Sequence, residues 1–348
     1  MKILLDDLSL RSLHSGRGIG SYTRLLAKEL ADLQDIDMIL GDWKKNWKST
    51  DLVHFPYLDL FSATLPLLRK PIVVTIHDVI PLQFPDQYPS GKRGKLALWR
   101  QKLALRSVQR VITVSQASKQ SIHEHLQVPL SKIHVVLQAA DPQMQPQTQI
   151  NQEKARHAYA LPERYILYVG DINYNKNLPQ LIKSLKYIDS SIHLVLVGHN
   201  FKQQTIPEWT AITQQIALSD VGERIHFLPN VKTGESTSLA CIYARSLCYV
   251  QPSLAEGFGL PVLDALQVGT PVIASNRTSL PEVGGAAAHY VEPTAEAFGQ
   301  AVMEIVAYSP DKRKDVIKEG QAQAATFSWK KTAQATAQVY REVLRPSA

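Results

Sequence analysis

The stretch from Pro252 to Ala274 reads PSLAEGFGLPVLDALQVGTPVIA and sets two carboxylates, Glu256 and Asp264, on either side of a glycine-rich turn. Glu256 precedes Gly257, Phe258 and Gly259, and Asp264 follows Leu260 and Pro261. Proline suits the first turn of a helix, where the leading N–H groups have no intrahelical acceptor, so the pattern predicts a strand ending near Ser253 and a helix opening near Leu260. Amides at a helix start attract anions, phosphate above all. Two carboxylates beside them would repel a bare anion, but carboxylates accept hydrogen bonds from sugar hydroxyls. A nucleotide sugar carries both kinds of group. The competing reading is an ordinary strand-to-helix turn with two solvated acids, and the spacing alone does not separate the two.

Three further segments place chemistry-bearing residues at predicted strand ends. HSGRGIG follows the first strand, and Gly18 and Gly20 there allow close backbone approach to a ligand, although a packing turn explains them as well. His77 and Asp78 close PIVVTIHD, where an imidazole beside a carboxylate serves a hydroxyl or phosphate contact or a satisfied structural histidine. YVGDINYNKN sets Lys176 between two asparagines just before a helix, and lysine is a point-charge partner for phosphate. Their shared position counts for more than any one of them. No GxGxxG turn opens either half, which speaks against a dinucleotide-dependent oxidoreductase. Asp6 and Asp7 are adjacent in the first strand and read as structural, so no metal site is expected.

The elements that must position these residues alternate regularly. KILLDDL, DMIL, DLVHF, PIVVTIHD, VITVS and IHVVL read as strands in the first half, with RSLHSGRGIG as a turn and SYTRLLAKELADL, the 91–110 stretch and Gln116–Leu126 as helices. YILYVG, HLVLVG, IHFLPN, CYVQPS, PVIAS and AHYVEP follow in the second half, with helices around 177–187, 207–218, 235–246, 260–268 and 294–308. Such alternation implies βαβ units and parallel sheets. The polar DPQMQPQTQINQ between Gln138 and Gln152 is the predicted linker, giving an amino-terminal domain 1–150, a carboxyl-terminal domain 151–327 and a last helix 328–346 capped by Ser328. Ligands of doubly wound sheets sit at the carboxyl ends of strands, so a cleft between two such sheets is the expected site.

The bulk composition is that of an ordinary globular chain: 348 residues, 45% apolar and 20% charged. Cys241 and Cys248 are the only cysteines, which excludes a disulfide framework or a cysteine zinc cluster and points to a reducing cytoplasm. No signal-peptide pattern or membrane-length apolar run is present. The net charge of +7 is concentrated in residues 91–110, which hold Lys92, Arg93, Lys95, Arg100, Lys102, Arg106 and Arg110 with no acid. On a helical wheel Leu96, Trp99 and Leu103 fall among these bases, opposite Ala97, Leu98, Ala104, Leu105 and Val108. Cations meet lipid headgroups while Trp and Leu enter the interface, so Lys95, Trp99, Arg100, Lys102 and Leu103 are expected to contact an anionic membrane, at its inner face. A solvated basic helix is the alternative; nucleic acid has no recognisable binding module to support it.

Taken together, the four segments resemble family four of the retaining glycosyltransferases (glycosyl transferases group 1) with the GT-B fold, an α/β architecture of two Rossmann-like doubly wound domains facing across a cleft. HSGRGIGSYTRLLAKEL is similar to that family's amino-terminal glycine loop, HDVIPLQFP to its histidine loop, VGDINYNKNL to its phosphate-lysine segment, and PSLAEGFGLPVLDALQVGTPVIASNRTSLPEVGGAA to its donor signature. The resemblance implies that Glu256 and the amides of Gly257, Phe258, Gly259 and Leu260 bind the donor sugar, that Asp264 takes the ribose hydroxyls and that Lys176 meets the diphosphate. It also implies that Gly18 and Gly20 approach the phosphates, that His77 contacts the transferred sugar, that Asn230 and Val231 lie near the base, and that the last helix packs back on the first domain. Two departures stand out. The second acid is Asp264 where the family usually has Glu, and Asn175 and Asp171 occupy positions where an arginine commonly accompanies the lysine; Arg17 is a candidate substitute. The implied activity is front-face transfer with retention from a nucleotide-diphosphate sugar, GDP-mannose by preference, to a saccharide or lipid-linked acceptor, with no cofactor or metal. A nucleotide-sugar epimerase, a phosphorylase or a non-catalytic sugar-binding protein are the alternatives.

Overall fold

A computed structural model of the chain describes residues 1–12, 18–66, 70–231 and 236–345. It separates into two compact units, Met1–Ala139 with Phe327–Ala348, and Ala140–Thr326.

The first unit runs β1 (Lys2–Asp6), α1 (Leu8–Arg11), α2 (Gly18–Ala31), β2 (Asp37–Gly41), α3 (Trp43–Asn46), β3 (Leu52–Phe55), β4 (Ile72–Thr75), α4 (Ile80–Gln83), α5 (Gly91–Ser107), β5 (Arg110–Thr113), α6 (Gln116–Leu126) and β6 (Ile133–Val135). The strands form one parallel sheet in the order β2-β1-β3-β4-β5-β6. Central strands of such a sheet are covered on both faces, which is why β4 is the β-branched run IVVT with every residue buried. The stretch read as a glycine-rich turn is shorter than expected. Leu8–Arg11 already forms a helical turn, and α2 begins at Gly18, so Gly18 and Gly20 lie in the first turn of a helix rather than in a loop. His14 and Arg17 lie outside the described residues.

The second unit runs α7 (Gln149–Ala158), β7 (Tyr165–Val169), α8 (Leu178–Ser184), β8 (His193–Val197), α9 (Pro207–Ser219), β9 (Ile225–Leu228), α10 (Ser236–Arg245), β10 (Tyr249–Gln251), α11 (Leu260–Val268), β11 (Val272–Ser275), α12 (Leu280–Gly284), β12 (Ala288–Val291), α13 (Ala295–Val306) and α14 (Pro310–Ala324). Its parallel sheet has the order β12-β11-β10-β7-β8-β9. Counted from β7, this is the strand order of the dinucleotide-binding Rossmann sheet. The core between sheet and helices is aliphatic, built on Ile166, Leu181, Leu194, Leu196, Val250, Ile273 and Val302.

Residues 140–148, part of the polar stretch read as a linker, are held against α11. Met144 is buried, and Gln267 Nε2 donates to Asp141 O at 3.1 Å and to Met144 O at 2.6 Å. Thr148 then caps α7 by accepting from Asn151 N, so the end of the stretch is helix. After α14 the chain returns to the first unit as α15 (Trp329–Leu344), capped by Ser328. Trp329, Ala333, Ala337 and Tyr340 complete a core with Ile3, Tyr22, Leu26 and Ile112.

Candidate functional site

In the second unit the direction of winding reverses between β7 and β10, and a crevice opens outside the carboxyl ends of the strands at such a point. Residues 170–177 leave β7 there and residues 252–259 leave β10. Backbone and asparagine hydrogen bonds stitch the two segments together. Leu254 N donates to Asn175 O at 2.7 Å, Asn175 Nδ2 donates to Ala255 O at 2.8 Å, and Asn177 Nδ2 donates to Pro252 O and Pro293 O at 3.1 Å. Asn177 turns the chain into α8 at φ +55°, a conformation asparagine tolerates better than most residues. Asn175 and Asp171, the two departures beside Lys176, have structural partners: Asn175 is buried on Ala255, and Asp171 accepts from Asn200 Nδ2 at 3.1 Å.

This stitching brings Lys176 onto Glu256, with Nζ at 2.7 Å from Oε1 and 2.9 Å from Oε2. Oε1 also accepts from Gln251 Nε2 at 2.8 Å and from Ser253 Oγ at 2.6 Å. The Glu256 backbone is fixed as well, its N–H donating to Thr278 Oγ1 at 2.9 Å and its carbonyl accepting from Ser279 Oγ at 3.0 Å. Sequence reasoning missed Gln251 and Ser253. The available signal was a buried strand ending in a glutamine two residues from Tyr249, hence on the same face.

Three residues on from Glu256, Gly259 holds φ +112°, and a Cβ there would come within 2.9 Å of Leu280 Cδ2, so glycine is required at the head of α11. Pro261 occupies the first helical turn, and the N-cap residue, Gly259, brings no side chain to cap the helix. Asp264 lies on the next turn, half-buried, and accepts from Asp141 N at 3.3 Å. Desolvation pushes its pKa up to about 7, with the Asp141 amide opposing the shift and the Asp141 charge adding to it. Asn230 and Val231 follow β9, two strands away from β7 in the sheet, Asn230 exposed and Val231 buried.

In the first unit His77 follows β4. Its Nε2 lies 3.0 Å from Pro56 O, Gln138 Nε2 lies 3.2 Å from its Nδ1, and Tyr22 packs edge-on at 4.7 Å. A carbonyl on Nε2 and an amide donor on Nδ1 select the neutral ring protonated at Nε2, and burial lowers its pKa to about 4. Both ring nitrogens thus have partners within the first unit. Asp6 ties the end of β1 to its neighbours by accepting from Leu8 N at 3.2 Å and Trp43 N at 3.1 Å, a structural role.

On α5, Leu96, Trp99 and Leu103 are 58%, 61% and 41% exposed, among exposed Lys92, Arg93, Lys95, Arg100 and Arg106, with Lys102 half-buried. The inward face carries Ala104 and Leu105, and Gln101, which sequence reasoning did not place there. Gln101 is buried and donates to Asp59 O, Ser62 O and Thr64 Oγ1. Among the described residues no helix is long and apolar enough to cross a membrane, and no group of three or more His, Cys, Asp or Glu is placed to hold a metal ion.

Comparison with known proteins places this architecture. The family model described as Glycosyl transferases group 1 matches residues 149–323, and that of Glycosyltransferase Family 4 matches residues 17–143. The O-antigen chain mannosyltransferase RfbU of Salmonella typhimurium is 28% identical over 71% of this chain and 64% of its own length. The chain therefore aligns with just under two thirds of that relative. O-antigen chain mannosyltransferase B of Escherichia coli is 26% identical over 80% of this chain and 72% of its own length. Among solved structures, the sucrose-phosphate synthase of Thermosynechococcus elongatus superposes with a TM-score of 0.76 at 20% identity, covering 99% of each chain. Anabaena HepE, solved in complex with UDP-glucose, gives 0.76 at 18% identity over 98% of this chain and all of its own. With two Rossmann-like sheets and a group 1 model matching half its length, the chain belongs to the group 1 glycosyl transferases of GT-B type.

Proposed function

We propose that the protein is a retaining glycosyltransferase that moves mannose from GDP-mannose to a hydroxyl of a saccharide or lipid-linked acceptor without a metal ion. The observation that carries the reading is the Lys176–Glu256 pair at the switch point of the second sheet, beside the head of α11 with its glycine N-cap. A cation, a hydroxyl acceptor and helix-leading amides are the groups a sugar diphosphate needs. Two mannosyltransferases among the relatives support the choice of sugar and, by their O-antigen names, a saccharide acceptor.

On this reading Glu256 accepts from the sugar hydroxyls, and Lys176 with the amides from Gly257 to Leu260 stabilises charge growing on the leaving diphosphate. Asp264 takes the ribose diol, Asn230 and Val231 border the base, Gly18 and Gly20 approach the phosphates, and His77 contacts the sugar. Glu256 is held by donors on both oxygens, which suits hydroxyl binding better than nucleophilic attack and favours front-face transfer. The acceptor oxygen bonds to the anomeric carbon as the phosphate oxygen leaves from the same face, and that oxygen takes the acceptor proton. The exposed Trp99 and Leu103 among the bases of α5 fit an enzyme working at the inner, anionic face of a membrane.

The test is mannosyl transfer by Glu256→Gln from GDP-mannose, with UDP-, dTDP- and ADP-sugars as competitors. The variant is expected to lose about 100-fold or more in kcat. A parent-like rate would remove the donor assignment, and tighter binding of another sugar nucleotide would remove GDP-mannose.

A further inference from the structure

Glu256 is gripped from behind by a polar pair that belongs neither to the glycine-rich turn nor to the phosphate lysine. Gln251 ends β10 and is 1% exposed, and Ser253 is fully buried. Tyr249 shares the Gln251 face and its hydroxyl is hydrogen-bonded to Gln251 Oε1. That bond makes Oε1 the acceptor and orients the amide, so both N–H groups point away from the tyrosine. One reaches Ser253 Oγ at 2.6 Å and the other Glu256 Oε1 at 2.8 Å. Ser253 passes its own proton on to Glu256 Oε1 at 2.6 Å. The chain of donors that starts at Tyr249 thus ends on one carboxylate oxygen, reached by Gln251 and by Ser253. Oε2, by contrast, has Lys176 as its hydrogen-bond partner among the described residues.

We infer that Gln251 and Ser253 are positioning residues that lock Oε1 of Glu256 and leave Oε2 as the atom offered to the donor sugar when Lys176 turns to the diphosphate. The inference rests on the donor reading above. The terminal torsion of a glutamate is broad, so a carboxylate released by its lysine turns freely unless one oxygen is held. With Oε1 held by two donors, the sugar meets a single oxygen at a set angle. A fixed acceptor of this kind separates a hydroxyl from its epimer, because the wrong configuration leaves the buried acceptor unpaired.

The experiment uses the full chain and three variants, Ser253→Ala, Gln251→Glu and Glu256→Gln. Calorimetry compares GDP-mannose with GDP and UDP-glucose with UDP, and kcat/KM is followed between about pH 5.5 and 9. Ser253→Ala removes one oxygen and is expected to weaken the sugar nucleotide about tenfold while leaving the bare diphosphate unchanged. Gln251→Glu keeps shape and the Tyr249 contact, but two carboxyl groups in contact cannot both ionise. Transfer is therefore expected to survive at low pH, where a shared proton holds Oε1, and to fall on a new basic limb as that proton leaves. Tyr168 and Tyr249, which face Glu256, are held above the usual tyrosine range by burial and add no limb there. Lys176 is the remaining charged neighbour.

A purely structural role would lower the melting temperature without splitting sugar from diphosphate or reshaping the pH profile. If Ser253→Ala and Gln251→Glu, folded by circular dichroism, keep the parent's sugar preference and pH profile, the positioning role is overturned. Ser253→Ala decides alone if Gln251→Glu does not fold. Glu256→Gln separates the two ideas: an unchanged sugar preference there removes the donor reading, whereas its loss there alone removes only the positioning role.

Discussion

Glu256 and Asp264 are both carboxylates at one helix start, yet their surroundings are opposite. Glu256 is ringed by donors, whereas Asp264 has one backbone amide and a second acid, Asp141, beside it. The consequence is a pH dependence that belongs to Asp264. Its folded pKa of about 7 stands above the ordinary carboxylate value, so the folded state binds the proton more tightly. The stability this contributes is fully present below about pH 4 and is lost as pH rises to about 7, a swing of about 4 kcal/mol. Thermal unfolding of Asp264→Asn should lack this slope, gaining most over the parent near pH 8; parallel slopes would remove the assignment. Nucleotide binding should run the other way, because ribose hydroxyls donate to the ionised form. The parent's Kd for GDP should fall several-fold, roughly three- to tenfold, between about pH 6 and 8, and flatten in Asp264→Asn. At this scale the charged residues were legible, since Lys176 and Glu256 stand out at strand ends. Gln251 and Ser253 were not, because a neutral side chain at the end of a strand carries no mark of where its protons point. The structural duty of Asn175 was equally silent, as it depends on a carbonyl eighty positions away.

At the scale of elements, the strands were readable from β-branched runs such as IVVT and HLVLV, whose burial on both faces leaves little choice of residue. Two of the longer helices were not. Gln149–Ala158 begins in a glutamine-rich stretch whose capping threonine looks like one more loop residue, and Pro310–Ala324 buries only two small residues, Gly320 and Ala324, so its apolar stripe is faint. The basic helix α5 was legible as amphipathic, but not the role of Gln101, because buried amides are rare and their partners, residues 59–65, are distant in sequence. Its outward face carries the membrane prediction. The parent should float with vesicles rich in phosphatidylglycerol, and a variant combining Trp99→Ala, Arg100→Glu and Lys102→Glu should remain in the pellet fraction. Binding should weaken as salt rises, since exposed charges are screened beyond about 10 Å at 0.1 M. Flotation by the triple variant would show that this face is simply solvated.

On the scale of the whole molecule, the chain builds one unit from a continuous segment and the other from two. Residues 140–326 hold their aliphatic core within themselves. The first unit borrows from the far end of the chain: His54, buried at the centre of its sheet, is hydrogen-bonded to Tyr340 Oη at 2.6 Å and to Thr75 Oγ1 at 2.8 Å, and Thr332 Oγ1 donates to Leu137 O at 2.7 Å. A fragment of residues 140–326 should therefore unfold cooperatively by itself, as small domains do. Residues 1–139 should do so only when residues 327–345 are joined to them or supplied in trans; cooperative unfolding without them would show that α15 is dispensable. Tyr340→Phe should cost about 1–3 kcal/mol by leaving a buried imidazole nitrogen unpaired.

The position of α15 also sets an order of events during synthesis. Chains emerge from the ribosome at about 5–20 residues per second, and domains generally fold as units. The middle of this chain is complete, and can fold, while Ile3, Tyr22, Leu26 and Ile112 still await Trp329, Ala333, Ala337 and Tyr340. The half that is made first is thus finished last, and its apolar seam is the surface a chaperone meets.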